Sequence, residues 1–309
     1  MGCTKEAKLM KVFNKKGNFF FGMTKGDIAF EMINAIILAI IAFSTLYPFW
    51  YVLVKSILPF EQAIKTKFYL IPTGFTLESY KFIFSTDRMV RSINISVILT
   101  VFGTIYQLFF TALTGYGLSK KNLPGRNFMF SLIIVTMFFG GGLIPTYLLI
   151  RGLGLMNTLW ALILPGTIGT YNMIIMKTFF QSLPEEIEES ARMDGAGYLK
   201  IFFRIIIPLS KPVISTIGLF ISVGLWNSWY GPLLYLNDKN LWPMALLLRE
   251  ILIKTDVETL ASTYVSEDYM LSDSIKMATV IVSVTPIVIV YPFLQKYFVK
   301  GVMIGAIKS

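Results

Sequence analysis

Six uncharged, largely apolar runs recur along the chain: Met32 to Val54, Ser92 to Gly117, Phe128 to Ile150, Gly152 to Met176, Pro212 to Asn237 and Met277 to Gln295. Each approaches or exceeds the roughly 20 residues with which a helix crosses about 30 Å of hydrocarbon. The pattern predicts an all-α membrane protein with six transmembrane helices. One polar interruption, Ser182 to Pro212, is itself helical in pattern and, lying between two spans, must protrude from the membrane. Ser182 followed by Glu185 reads as a capping box with Pro184 in the first turn, so a helix is expected from about Leu183. Glu185, Glu186, Glu188 and Glu189 fill its first two turns, where the helix dipole favours negative charge. Ile187, Ala191 and Gly195 recur every fourth residue and give one slim face on which another protein could approach closely. Gly195 and Gly197 then end the helix, and a second begins near Leu199.

The spans carry their own punctuation. Gly103, Thr104, Gln107, Thr111, Thr114 and Gly115 put small and hydroxyl-bearing residues at helical spacing, which lets helices pack closely where lipid supplies no hydrophobic drive. Gly140-Gly141-Gly142 and Pro145 interrupt the third span, as is tolerated beside protein or a water-filled cavity, and mark a candidate outer gate. Pro165-Gly166 is expected to kink the fourth span, which continues through Tyr171 and Asn172. In the fifth, Trp226, Asn227, Trp229 and Tyr230 combine aromatic faces with an amide, the chemistry that suits sugars. The same residues equally fit an interfacial belt with a structural kink. Leu241 to Ile253 is expected as an amphipathic helix on the outer surface, and Asp256 to Asp273 as an exposed acidic loop. A helix capped by Thr76 is expected to follow the turn at Ile71 to Gly74.

Composition agrees: 309 residues, 55% hydrophobic and 15% charged, describe a membrane protein. The net charge of +10 does not indicate nucleic acid, because the lysines are spread over loops. With the amino terminus inside, 17 of the 28 basic residues fall in inner segments, which predicts both termini cytoplasmic. The five tryptophans then lie near the outer interface. Cys3 is alone, so no intramolecular disulfide is expected, and Met1 to Gly26 reads as a basic arm without a cleavable leader. The expected organisation is a cytoplasmic arm (1–28), a permease domain (29–298) containing the segment 182–212, and a cytoplasmic tail (299–309).

Energy coupling can be read from what the spans lack. They hold no Asp, Glu, Lys or Arg, and the chain has no histidine, which argues against proton coupling. Sodium coordination by backbone carbonyls leaves a secondary carrier open. A phosphate-cradling loop, a cysteine pair and converging carboxylates are all missing, so no catalytic residue and no metal ligand are expected.

Glu189-Ser190-Ala191, Gly195, Ile205 and Ile207-Pro208 resemble the EAA motif of importer permeases of the ATP-binding-cassette superfamily, with Ser190 for the first alanine and Ile207 for leucine. EESARMDGA with Leu209-Ser210-Lys211-Pro212, together with Phe75-Thr76-Leu77-x-x-Tyr80 and the string from Ile144 to Pro165, is similar to the carbohydrate branch. That branch is the maltose-type second permease (MalG-like), and the chain's ending resembles Gram-positive oligosaccharide importers. The resemblance, covering about Phe75 to Ser309, implies a type I importer permease fold in a bacterial cell membrane. It implies a cytoplasmic coupling helix that docks on an ATPase through Glu185, Glu186, Glu189, Ser190, Ala191, Asp194, Gly195, Ala196, Gly197 and Pro208. Ala191 and Gly195 are the close-packing face there, and Gly197 the hinge. The implied partners are a second homologous permease, two ATPase subunits that carry ATP and Mg, an extracellular solute-binding (lipo)protein and a sugar substrate. No cofactor is expected on this chain. A non-sugar solute is the alternative.

Overall fold

The computed structural model describes residues 25–59, 74–261, 273–290 and 292. Most of the expected amino-terminal arm, the turn before Gly74, residues 262–272 of the acidic loop and the carboxyl-terminal tail lie outside the described residues. Among the described residues there is no strand. The chain divides into two units at Tyr51. In the first, α1 (Lys25–Ile57) carries exposed apolar side chains from Phe30 to Trp50, and from Val52 onward it belongs to the second.

The second unit is organised on α3 (Asp87–Ser119), which follows α2 (Glu78–Ser85). The N-cap of α2 is Leu77, without a side-chain cap, and Thr76, one residue earlier, accepts the Glu78 N–H on Oγ1 at 3.3 Å. At 33 residues α3 is about 50 Å long, longer than the hydrocarbon layer is thick. Two further helices are long and apolar enough to span, the part of α1 from Ala29 to Ile57 and the last helix, Asp273–Val290.

The other expected spans are broken. Arg126–Phe138 (α4) and Leu143–Gly152 (α5) meet at a 116° bend. Gly142 there has φ +85, a conformation open to glycine, so the third run is two helices and not one. The fourth run is a loop, a single turn α6 (Trp160–Ile163), a 3₁₀ turn Leu164–Gly166, and α7 (Thr170–Gln181). The fifth is preceded by α8 (Glu185–Met193) and α9 (Tyr198–Leu209), the latter meeting α10 (Lys211–Trp226) at 85°. α11 (Tyr230–Tyr235) completes it after a break. α12 (Met244–Ala261) and α13 (Asp273–Val290) follow.

Broken helices free backbone groups that lipid cannot satisfy, and α3 supplies the partners. Gln107 Nε2 donates to the Ile163 carbonyl at 2.9 Å, where the chain passes from α6 into the 3₁₀ turn. Ser96 Oγ accepts the Met244 N–H at 2.7 Å, satisfying an otherwise orphan donor at the start of α12. Asn157, in the left-handed region at φ 59, accepts the Asn237 and Asp238 N–H groups on Oδ1 at 2.6 and 3.0 Å.

Close contacts fix the neighbours of α3. A Cβ at Gly103 would lie 2.7 Å from Leu225 Cδ1, and one at Gly115 would lie 3.3 Å from the Lys177 backbone nitrogen. Gly218 faces Leu108 and Leu225 faces Gly103, so α10 runs antiparallel to α3. α7 runs parallel to it. The main core gathers Leu99, Tyr116, Met176, Phe180, Phe202, Ile217 and Leu225 between these helices.

Three expectations are corrected. The helix after Leu241 does not lie on the surface: Met244 and Leu247 are buried with Ile83, Met89 and Ala278, so one face of α12 is core. Asp256 to Ala261 continues that helix, and Asp273 begins α13, where it pairs with Lys55. Trp226 does not sit at an interface, because it is buried and donates its Nε1–H to the Ser283 carbonyl at 2.9 Å. Gln107→Leu should remove the buried hydrogen bond to the Ile163 carbonyl and cost about 1 kcal/mol. A lowered midpoint in thermal unfolding of the purified protein is the expected reading.

Candidate functional site

The segment between α7 and α10 is built from its ends inward. Ser182 caps the preceding helix: its Oγ donates to the Phe179 carbonyl at 2.7 Å. The capping box is therefore absent, and α8 begins at Glu185 with extended Pro184 (φ −58, ψ 130) as its N-cap. The proline disfavours helix at Leu183, which explains the later start. Glu185, Glu186 and Glu188 supply negative charge to the first turn.

The helix stops at Gly195, whose φ is +77. The Ala196 N–H reaches the Ala191 carbonyl at 3.0 Å and the Gly195 N–H reaches Arg192 at 2.9 Å. This is a Schellman motif, which calls for a left-handed residue at that place. Gly197 is extended (φ −72, ψ 162) and caps α9, so the residue that needs to be glycine is Gly195.

α8 has two faces. Glu188 and Ala191 are buried, and Ala196 is partly buried against the same core. Outward lie Glu185, Glu186, Glu189, Ser190, Met193, Asp194 and Gly195, with Met193 89% exposed. Ala191 is thus removed from the close-packing face expected of it, because it seats α8 on this chain's own body. Pro208 is also displaced from the helix, standing at the bend between α9 and α10. It cannot donate to the Arg204 carbonyl, and the turn before it, Phe202–Ile206, widens into a π-helix.

Residues that pattern alone did not single out hold α8 in place. Glu188 pairs with Lys120 and accepts from Tyr116 Oη at 3.3 Å, with Arg192 at 3.6 Å. The Lys120 ammonium also lies 4.3 Å from the centre of the Tyr116 ring. The available signal was the i, i+3 spacing of Glu188 and Ala191 beside a short basic loop. A cavity of about 700 Å³, lined by Lys120, Lys121, Glu185, Glu189, Arg192 and Tyr198 among others, opens between α8 and that loop.

Lys121, 2.8 Å from Glu185, holds that exposed carboxyl below the usual carboxylate range. Its contribution is present at neutral pH and is lost as acid titrates the carboxylate through its lowered pKa. Being solvent-exposed, the pair adds little.

The residues assigned to a substrate path do not converge. Trp229 and Tyr230 lie in and after the break between α10 and α11, with Asn227 exposed beside them. Tyr171 and Asn172 begin α7 near the level of Thr111, which donates to the Thr167 carbonyl. Gly103, opposite Leu225, is eight residues away along α3, a separation of about 12 Å. Trp226 points into the core as described above.

Glu188→Gln should weaken seating of α8 by roughly 1–3 kcal/mol, lowering both thermal stability and transport. Lys121→Ala should leave both near wild type. Unfolding curves and uptake assays on the two variants compare them directly.

The profile of the family described as "Binding-protein-dependent transport system inner membrane component" matches residues 113–304. Protein LplC of Bacillus subtilis is 43% identical over 286 residues, 93% of this chain and 97% of that relative. The polygalacturonan/rhamnogalacturonan transport system permease protein YtcP of the same organism is 43% identical over 91% of this chain and 98% of its own length. Among solved structures, a bacterial ABC transporter involved in import of the acidic polysaccharide alginate superposes with a TM-score of 0.81 at 29% identity, covering 89% of this chain and 99% of the other. The chain belongs to the family of binding-protein-dependent transport system inner membrane components, and is a membrane-embedded permease of ATP-binding-cassette importers, not an enzyme.

Proposed function

We propose that this permease carries oligosaccharides into the cell and that α8 is the element through which ATP drives it. The observation that carries the reading is the two-faced α8: one side is fastened to α3 through Glu188, and the other presents Glu186, Glu189, Ser190 and Met193 exposed. A helix held this way transmits a push applied to its outer face. The sugar assignment draws on YtcP and on the alginate transporter, both named for carbohydrate polymers.

The working assembly pairs this chain with a second permease, two ATPase subunits that bind ATP and Mg, and an extracellular solute-binding protein. Both termini and α8 are cytoplasmic. When the ATPases close on ATP they carry α8 with them. α3 moves with α8 because Glu188 and Lys120 join them, and the path changes from inward- to outward-facing. Glu189 contacts the ATPase as an exposed carboxylate, while Gly195 leaves room beside it.

The test is purification of the tagged chain from its native membrane. The expected result is an ATPase and a second six-span protein in the same complex. Gly195→Asp should release the ATPase and abolish sugar uptake while leaving the chain in the membrane. A Cβ at residue 195 meets nothing within 4 Å inside this chain, but its φ of +77 strains any other L residue. Gly195→Asn, which shares the shape and the backbone strain without the charge, is therefore the control: loss in Gly195→Asp beyond that in Gly195→Asn reports on docking. Normal transport by Gly195→Asp would sink the coupling assignment.

A further inference from the structure

At the end of α3 remote from α8, the cations fall into two groups. Arg88 and Lys239 share the Glu250 carboxylate, and Arg91 donates to Asn240. Arg249 differs. Its guanidinium lies 4.4 Å from the centre of the Trp229 ring and, among the described residues, has no carboxylate or hydrogen-bond acceptor. A half-buried guanidinium offers five donors in a planar fork, a shape that matches an oxyanion presented edge-on.

Beside it stands an aromatic pair. Trp229 and Tyr230 meet edge to face with centres 5.5 Å apart, and they are 39% and 49% exposed. They lie where α10 breaks, about 24 Å along that helix from its α9 end. This puts them at the mouth remote from the ATPase side, beyond the level at which charge is most costly. Arg249 covers one face of Trp229, and the Tyr230 ring remains for the apolar face of a sugar.

We propose that Arg249, Trp229 and Tyr230 form a subsite for an acidic sugar unit, with the uronate carboxylate on the Arg249 fork and the pyranose ring against Tyr230. The inference rests on the sugar-importer reading and narrows it to carboxylated oligosaccharides. A lipid phosphate could also meet an interfacial arginine. The adjacent stacking surface in a helix break favours the sugar, because a headgroup phosphate makes no use of it.

The test is equilibrium dialysis of the intact complex in nanodiscs, without binding protein, against labelled trigalacturonate and its methyl ester. The two probes share their rings and differ in charge. The wild type should bind the acid about tenfold more tightly than the ester. Arg249→Gln should remove that preference, and Arg249→Lys, which keeps the charge without the fork, should retain part of it. Equal binding of acid and ester by the wild type, binding of neither, or an unchanged preference in Arg249→Gln each overturns the subsite. So does an Arg249→Gln complex that keeps its preference and loses copurifying anionic phospholipid, since that assigns the arginine to a headgroup. The broader reading is scored separately by uptake in cells with and without the chain. Neutral sugar uptake with no acid preference defeats the subsite alone, and no sugar uptake defeats both.

Discussion

Every peptide group within the hydrocarbon layer needs a partner from the protein, and this requirement shapes the described structure more than any other. A continuous helix such as α3 meets it alone. The interrupted segments around Pro165 and before Met244 do not, and they survive because α3 turns Gln107, Thr111 and Ser96 toward the exposed backbone. The central helix is thus a source of hydrogen bonds as well as a packing surface. Irregular backbone concentrates on the helices that lean against it.

The same helix carries the mechanical connection. One end meets α8 through Tyr116 and the neighbouring Lys120, and the other meets α12 through Arg88 and Glu250. Between these ends Gly115 admits the backbone of α7 and Gly103 admits the Leu225 side chain of α10. Protein interiors packed this closely transmit displacement with little compliance. A movement imposed at the Glu188 cluster is therefore passed along the length of α3 to the opposite mouth.

The helical class, the apolar runs and the protruding segment were legible in the sequence because length, charge and glycine placement act locally. Gly195 could be read as a helix end from its position alone. What escaped depended on partners far along the chain. The inward turn of Ala191 is set by the core it joins, which α3, α7 and α10 assemble, and the pairing of Glu188 with Lys120 spans 68 residues. Ser182 offered two uses for one hydroxyl, and the bond back to Phe179 prevailed because the following Leu183-Pro184 resists helix. Trp226 looked interfacial by type, yet its indole donor found a carbonyl on α13. The breaks in the third and fourth runs were signalled by glycine and proline, but their angles were not.

The widened turn at Phe202–Ile206 also sets a register. A π turn takes in one residue more than an α turn, and each helical residue is worth about 100° of rotation. Pro208 fixes where the extra residue is accommodated, and so fixes the azimuth at which α8 stands relative to α10. Were that turn to tighten to regular α-helix, the outward carboxylates would swing by about a quarter turn around the axis. Chain length between Tyr198 and Lys211 is consequently as strict a constraint as side-chain identity, because a single insertion there would turn the outward face of an intact α8 in another direction.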